Sequence, residues 1–192
     1  IKAGDYMTVI GLSGEYAGGH RIRVRQESDI SLSTSFGIVA SATSGGTISP
    51  TGLISIIYGE DKTFTITPDT GYHIKDVLVD GLSVKNNLID NHNGTYSYTI
   101  PNVVSSHTIS VIFEITTFTI TASAGFGGTI TPSGIQHVNY GDSKSFTTKA
   151  DPGYFIYRIL VDGKSISFNN ALQYTYTFTN VTANHTIEAQ FM

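Results

Sequence analysis

Apolar and polar side chains alternate with a period of two along much of this chain. The run Phe118-Thr119-Ile120-Thr121-Ala122-Ser123-Ala124 is the clearest case, rich in Thr and Ile. Such alternation places one face of an extended segment in a core and the other in water, and so predicts a β-strand. The runs 144–150 (KSFTTKA), 154–161 (YFIYRILV), 174–181 (YTYTFTNV) and 185–191 (HTIEAQF) read the same way. Gly127-Gly128, Pro132-Ser133-Gly134, Asp151-Pro152-Gly153 and Asp162-Gly163 punctuate them as turns, the last a hairpin signal. No window carries a helical period. The pattern predicts an all-β chain with antiparallel sheets.

The pattern is written twice. Gly46, Pro50, Tyr58, Phe64, Gly71-Tyr72 and Val79-Asp80-Gly81 recur at Gly128, Pro132, Tyr140, Phe146, Gly153-Tyr154 and Val161-Asp162-Gly163, an offset of 82 (Gly46 to Gly128). After the Asp-Gly pair the offset falls to 78 (Tyr96 to Tyr174), and Tyr98, His107-Thr108-Ile109 and Phe113 meet Tyr176, His185-Thr186-Ile187 and Phe191. The whole difference lies between residues 82–95 and 164–173, both Asn-rich and polar, so both are predicted surface loops. Internal repeats decide the fold, and this one divides the chain into a 1–35 segment and two small antiparallel β-sheet domains, 36–114 and 118–192. The expected architecture is β-grasp or sandwich-like. Ile115-Thr116-Thr117, short and β-prone, predicts a stiff joint. Matching apolar positions predict the cores: Ile48, Phe64, Tyr72, Leu78, Ile100, Ile109 and Phe113, with Ile130, Phe146, Tyr154, Leu160, Phe178, Ile187 and Phe191.

Composition narrows the function. Only 14% of residues are charged and the formal net charge is −4, so no basic footprint for nucleic acid exists. No run approaches the ~20 apolar residues of a membrane helix, and membrane insertion is not expected. With no cysteine, neither disulfides nor a Cys-based metal site can form. The chain begins at Ile1 and shows no signal peptide, which is expected of a processed product or a piece of a longer protein. Three sequons, at Asn93, Asn180 and Asn184, join the low charge in predicting an extracellular setting and a glycosylated surface. Each is equally an ordinary turn or strand-end residue.

The ordered glycines, aromatics and closing "HTI" of residues 119–191 resemble the divergent internalin-type B-repeat of bacterial and archaeal surface proteins. The resemblance covers both copies. It implies a compact, tandem β module used as a spacer, adhesive or structural segment, with no catalytic residues to carry over. Many members of that family have Trp shortly after the Gly-Tyr pair, whereas this chain has none.

The first 35 residues differ. Tyr6–Ile10 and Arg21–Arg25 read as strands joined by a Gly-rich stretch, a hairpin faintly similar to part of an OB-like barrel. A lone hairpin is marginal in water. It is expected to pair with the first repeat, an upstream segment or another copy of the chain. In the last case Tyr6, Thr8, Ile10, Arg21, Arg23 and Arg25 would form assembly strands by β-augmentation.

Candidate chemistry is sparse. His107 and His185 occupy equivalent strand starts, and no two histidines have a spacing suited to a metal. Asp80 and Asp162 lead Asp-Gly turns, Asp61 and Asp142 lie in further turns, and Asp90–Thr95 (DNHNGT) is read as a turn before it is read as a calcium loop. No cofactor is expected. Tyr96, Tyr98, Tyr174 and Tyr176 either stack on sugars as an exposed aromatic surface or simply fill good sheet positions. The expectation is a non-enzymatic, extracellular structural protein of the cell surface. It would assemble with copies of itself into a sheath, layer or filament. The alternatives are an adhesive or glycan-binding spacer and a fragment of an extracellular hydrolase.

Overall fold

The computed structural model describes residues 6–9, 12–16, 19–23, 30–168 and 171–192, with side chains from Thr34 onward. Its strands, in chain order, are β1 (Tyr6–Val9), β2 (Leu12–Tyr16), β3 (Gly19–Arg23), β4 (Ile30–Ser33), β5 (Ser35–Ala42), β6 (Gly46–Ser49), β7 (Gly52–Ile57), β8 (Lys62–Pro68), β9 (Tyr72–Val79), β10 (Leu82–Ser83), β11 (Ile89–Asp90), β12 (Tyr96–Ile100) and β13 (His107–Ile115). The second repeat supplies β14 (Thr117–Ala124), β15 (Gly128–Thr131), β16 (Gly134–Asn139), β17 (Lys144–Ala150), β18 (Ile156–Val161), β19 (Lys164–Ser165), β20 (Gln173–Phe178) and β21 (His185–Phe191). The one helical feature among the described residues is a 3-10 turn, Lys85–Asn87, inside the longer polar loop. By its contacts the chain forms two units: Ile1–Asp69 with Ile74–Phe113, and Thr70–His73 with Glu114–Met192.

Each repeat is a two-sheet sandwich. In the first, β10-β9-β13-β5-β7 faces β11-β12-β8-β6; in the second, β16-β14-β21-β18-β19 faces β15-β17-β20. The second core draws Ile120, Ala122, Val138, Ile156, Ile159 and Ile187 from one sheet and Ile130, Phe146, Ala150 and Phe178 from the other. Phe64 and Phe146 are fully enclosed at equivalent positions. Burying such a side chain contributes roughly 1.5–3 kcal/mol.

Four features depart from the sequence reading. The sheets are mixed rather than purely antiparallel: β5 runs parallel to β13, and β14 parallel to β21. Strands β7 and β16 follow directly on turns and were not anticipated; each ends its sheet. Leu78 and Leu160 are only half-buried, and Ile74, Val77, Ile156 and Ile159 take the core positions instead. In the second repeat a β-bulge between Ile156 and Arg158 is the reason, because it advances the side-chain alternation by one residue, so two core residues can stand three apart. Tyr72, Tyr154 and Phe191 are likewise half-buried.

The N-terminal segment pairs differently from the hairpin expected between 6–10 and 21–25. Strand β1 pairs with β4, and β2, which lies in the Gly-rich stretch, pairs with β3. Ile10 and Arg25 lie outside the described residues. The Gly-Gly pairs do more than turn the chain. A Cβ on Gly46 would collide with the Phe113 ring, and one on Gly128 with the Phe191 ring. Glycine is required at both places by a close approach of an aromatic side chain from the last strand.

Candidate functional site: a doubled aspartate–histidine clamp

The most organised polar cluster occurs twice. Val79 pairs with Leu82 across Asp80-Gly81, and Val161 with Lys164 across Asp162-Gly163. All four central residues have positive φ: 50° at Asp80 and Asp162, 81° at Gly81 and 74° at Gly163. This is the backbone of a tight two-residue hairpin, for which Asp-Gly is a preferred pair. The turn leaves each aspartate pointing at the first residues of the last strand of its repeat.

There the carboxylate is divided between two tasks. Asp80 Oδ2 lies 2.6 Å from His107 Nδ1, while Oδ1 accepts from Thr108 N–H at 2.7 Å and from Thr108 Oγ1 at 3.2 Å. Asp162 Oδ2 lies 2.8 Å from His185 Nδ1, and its Oδ1 accepts from Thr186 N–H at 2.9 Å. Each aspartate N–H in turn donates to the carbonyl of Thr108 or Thr186, at 3.0 Å in both copies. The Asp80 carboxyl is held below its ordinary value, first by the His107 hydrogen bond and then by the Thr108 N–H. For Asp162, burial is the largest influence and pushes upward, but the Thr186 N–H and His185 outweigh it.

In the first copy His107 Nε2 also faces Ser105 Oγ at 3.4 Å, giving the order Asp–His–Ser of a hydrolase triad. The second copy keeps the Asp–His pair and has Ala183 in place of Ser105. The serine is exposed. The clamp's geometry is thus accounted for by closing the Asp-Gly turn onto β13 and β21, with no nucleophile needed. In the sequence Asp80 and His107 read as separate turn and strand-start residues. That both recur together was the available signal that they touch.

The other sequence-predicted residues are placed as follows. Tyr96, Tyr98, Tyr174 and Tyr176 are half-buried, not an open platform. Tyr174 and Tyr176 pack against the second core, and Tyr176 meets Phe178 edge-on with ring centroids 4.9 Å apart. They share the inward face of their strands with Ile100 and Phe178, and in β20 the alternation that exposes Thr175 and Thr177 turns the tyrosines in. Asn93, Asn180 and Asn184 are all exposed. Asn93 Oδ1 accepts from its own sequon's Thr95 Oγ1 at 2.7 Å, whereas Asn184 Oδ1 accepts from Thr119 N–H at 2.9 Å, tying the turn before β21 to β14. The Asp90–Thr95 loop ties itself together: Asp90 Oδ1 accepts from His92 N–H at 2.8 Å and Asn91 Nδ2 donates to Thr95 Oγ1 at 2.9 Å. Among the described residues no group of three or more His, Asp or Glu is gathered as for a metal ion.

A repeated β-sandwich, with the same clamp in each copy, defines a tandem-module protein. The family model of the divergent InlB B-repeat domain matches residues 36–116 and 118–192, and the chain belongs to that family. No curated protein gives a match, and neither does any solved structure. Repeats of this family are typical of bacterial surface proteins, which supports a cell-surface setting for this chain.

Proposed function

We propose that this chain is a non-enzymatic structural module of the cell exterior that associates side by side with copies of itself through open sheet edges. One observation carries the reading. Strands β7 and β16 end their sheets with no charged residue in either, and they display Leu53 and Ile135 at 75% and 63% exposure. Proteins that must stay apart usually guard such edges with charge, proline or a bulge. The surface as a whole repels little, because only 14% of residues are charged. The Asp–His pairs support a non-catalytic role, since each is engaged in closing its Asp-Gly turn onto the last strand of its repeat. Among the described residues the N-terminal strands β1–β4 pair two by two and add further edges. The exposed asparagines of the three sequons fit an external, glycosylated surface.

Sedimentation and electron microscopy of the purified chain test this. Concentration-dependent assemblies are expected, and Leu53→Lys with Ile135→Lys should weaken them. Monomers at every concentration, or assembly indifferent to both lysines, would reject lateral association.

A second reading, an adhesive or glycan-binding spacer, has its own support. The outward faces of β8, β12, β17 and β20 carry uncharged hydroxyls paired across the strands: Thr63 with Thr99 at 2.8 Å, Ser145 with Thr177 at 2.8 Å, and Thr147 with Thr175 at 2.9 Å. Such rows could bond to sugar hydroxyls. A glycan array that returns no ligand would remove this reading.

A further inference from the structure

The second unit contains a small clasp whose two halves recur elsewhere, unpartnered. The unit includes the loop Thr70–His73. Gly71 in that loop has φ +82°, and a Cβ there would fall 2.5 Å from Cδ1 and 2.7 Å from Cγ of Tyr140. The tyrosine ring therefore lies against bare glycine backbone. Beside it, Thr116 N–H donates to Gly71 O at 2.8 Å, and Tyr140 N–H donates to Thr116 O at 2.8 Å. The ring is braced from behind by Phe118, with centroids 6.4 Å apart.

The tyrosine half is built again in the first repeat. Tyr58 N–H donates to Thr34 O at 2.8 Å, and Phe36 braces the Tyr58 ring at 6.2 Å and 47°, against 45° for Phe118 and Tyr140. Yet Tyr58 is 60% exposed, while Tyr140 is half-buried. The tyrosine half is thus set by its own repeat and does not need the glycine in order to form.

The glycine half is built again at Asp151-Pro152-Gly153-Tyr154. Gly153 has φ +87°, close to Gly71, but a Cβ there would meet nothing within 4 Å. The loop borders a groove of about 500 Å³ with Thr129 and Leu172 on its walls. Its end is fixed by paired backbone bonds, Phe155 N–H to Met192 O at 3.0 Å and Met192 N–H to Phe155 O at 3.1 Å. Pro152, standing where the first repeat has Thr70, removes a free dihedral, so the loop is pre-set in shape. Phe155, 48% exposed, stands where the first repeat has His73 and adds apolar surface.

We propose that the Asp151–Tyr154 loop is an open docking site for the Tyr-Gly-(Asp/Glu) turn of a further repeat of this family, whose tyrosine ring would lie on Gly153 as Tyr140 lies on Gly71. This does not depend on lateral association, which uses other strands. The occupant is identified by the clasp already closed within the chain: same glycine conformation, same braced tyrosine, same flanking threonine.

The test extends the full chain after Met192 with a second copy of residues 115–192 and compares denaturation midpoints with and without the extension. Gly153→Ala strains the backbone in both proteins. In the extended protein it should cost several degrees more, and truncating the appended unit's counterpart of Tyr140 to Ala should abolish that excess. Gly71→Ala in the unextended chain sets the scale, because its clasp is closed. An equal shift with and without the extension would overturn the proposal, as would an appended unit that does not fold. A dimer of the unextended chain, lost in both Tyr58→Ala and Gly153→Ala, would overturn it in favour of a second copy as occupant. Leu53→Lys leaves all of these readings unchanged, so failure here is distinguishable from failure of edge association.

Discussion

The two copies of the repeat agree most where side chains reach across the sandwich and differ most in the loop after the Asp-Gly turn. Residues 82–95 of the first copy hold a 3-10 turn and the extra strand β11, whereas 164–173 of the second are shorter, and among their described residues β19 pairs with β18 and Gln173 with Lys149. The clamp beside that loop is nonetheless preserved, at 2.6 and 2.8 Å between carboxylate and imidazole. The loop can vary because the aspartate at its entrance is anchored to the last strand and not to the loop itself. A boundary fixed by hydrogen bonds allows the sequence beyond it to drift without disturbing the register of the core.

The comparison can be broken most severely in the core. Phe64→Ala and Phe146→Ala should each cost about 3–5 kcal/mol by chemical denaturation, because each empties a fully enclosed site. Markedly unequal losses would show that the two copies do not share one packing scheme. A smaller effect comes from the clamp: Asp80→Ala and Asp162→Ala should each cost about 1 kcal/mol, since the hydrogen bonds are charge-assisted but the carboxylates are nearly half exposed to screening water. If only one of the two destabilises, the clamp is not a common device.

Acid titration sharpens the same point. Both carboxyls are lowered from an ordinary value of 3.8. Their contribution is therefore complete above that value and is lost as pH falls through the lower folded values. The urea midpoint should drop over that interval, and less steeply in Asp80→Asn and Asp162→Asn. An unchanged slope in both variants would show that other groups govern the acid limb. The smallest effect is expected from Ser105→Ala, which gives the first copy the alanine of the second. It should stay within about 0.5 kcal/mol. A larger loss would mean that the serine matters to the first copy in a way the second has abandoned.

Much of this was legible in the sequence. The Asp-Gly hairpins could be read from local turn preference, and Phe64 and Phe146 from alternation within a repeated frame. The inward tyrosines could have been read by the same means. Tyr98 stands two residues from Ile100, and a period of two gives them one face. The β18 core positions were not legible, since a bulge shifts the alternation and leaves no mark in composition. Strands β7 and β16 hid behind the turns that introduce them. The parallel pairing of first and last strands is a long-range choice among topologies that local pattern does not encode. The clamp lay between the two, with both its residues singled out and their contact left unread.

That parallel pairing sets how each repeat responds to being stretched. Within the first, Ile38 to Ala42 lie beside His107 to Val111; within the second, Ile120 to Ala124 lie beside His185 to Ala189. The chain enters along one of these strands and leaves along its neighbour in the same direction. Tension between the two ends of a repeat therefore draws the paired strands lengthwise past one another. All the rungs between them resist at once and cannot peel in succession, the geometry in which a short ladder bears the greatest load.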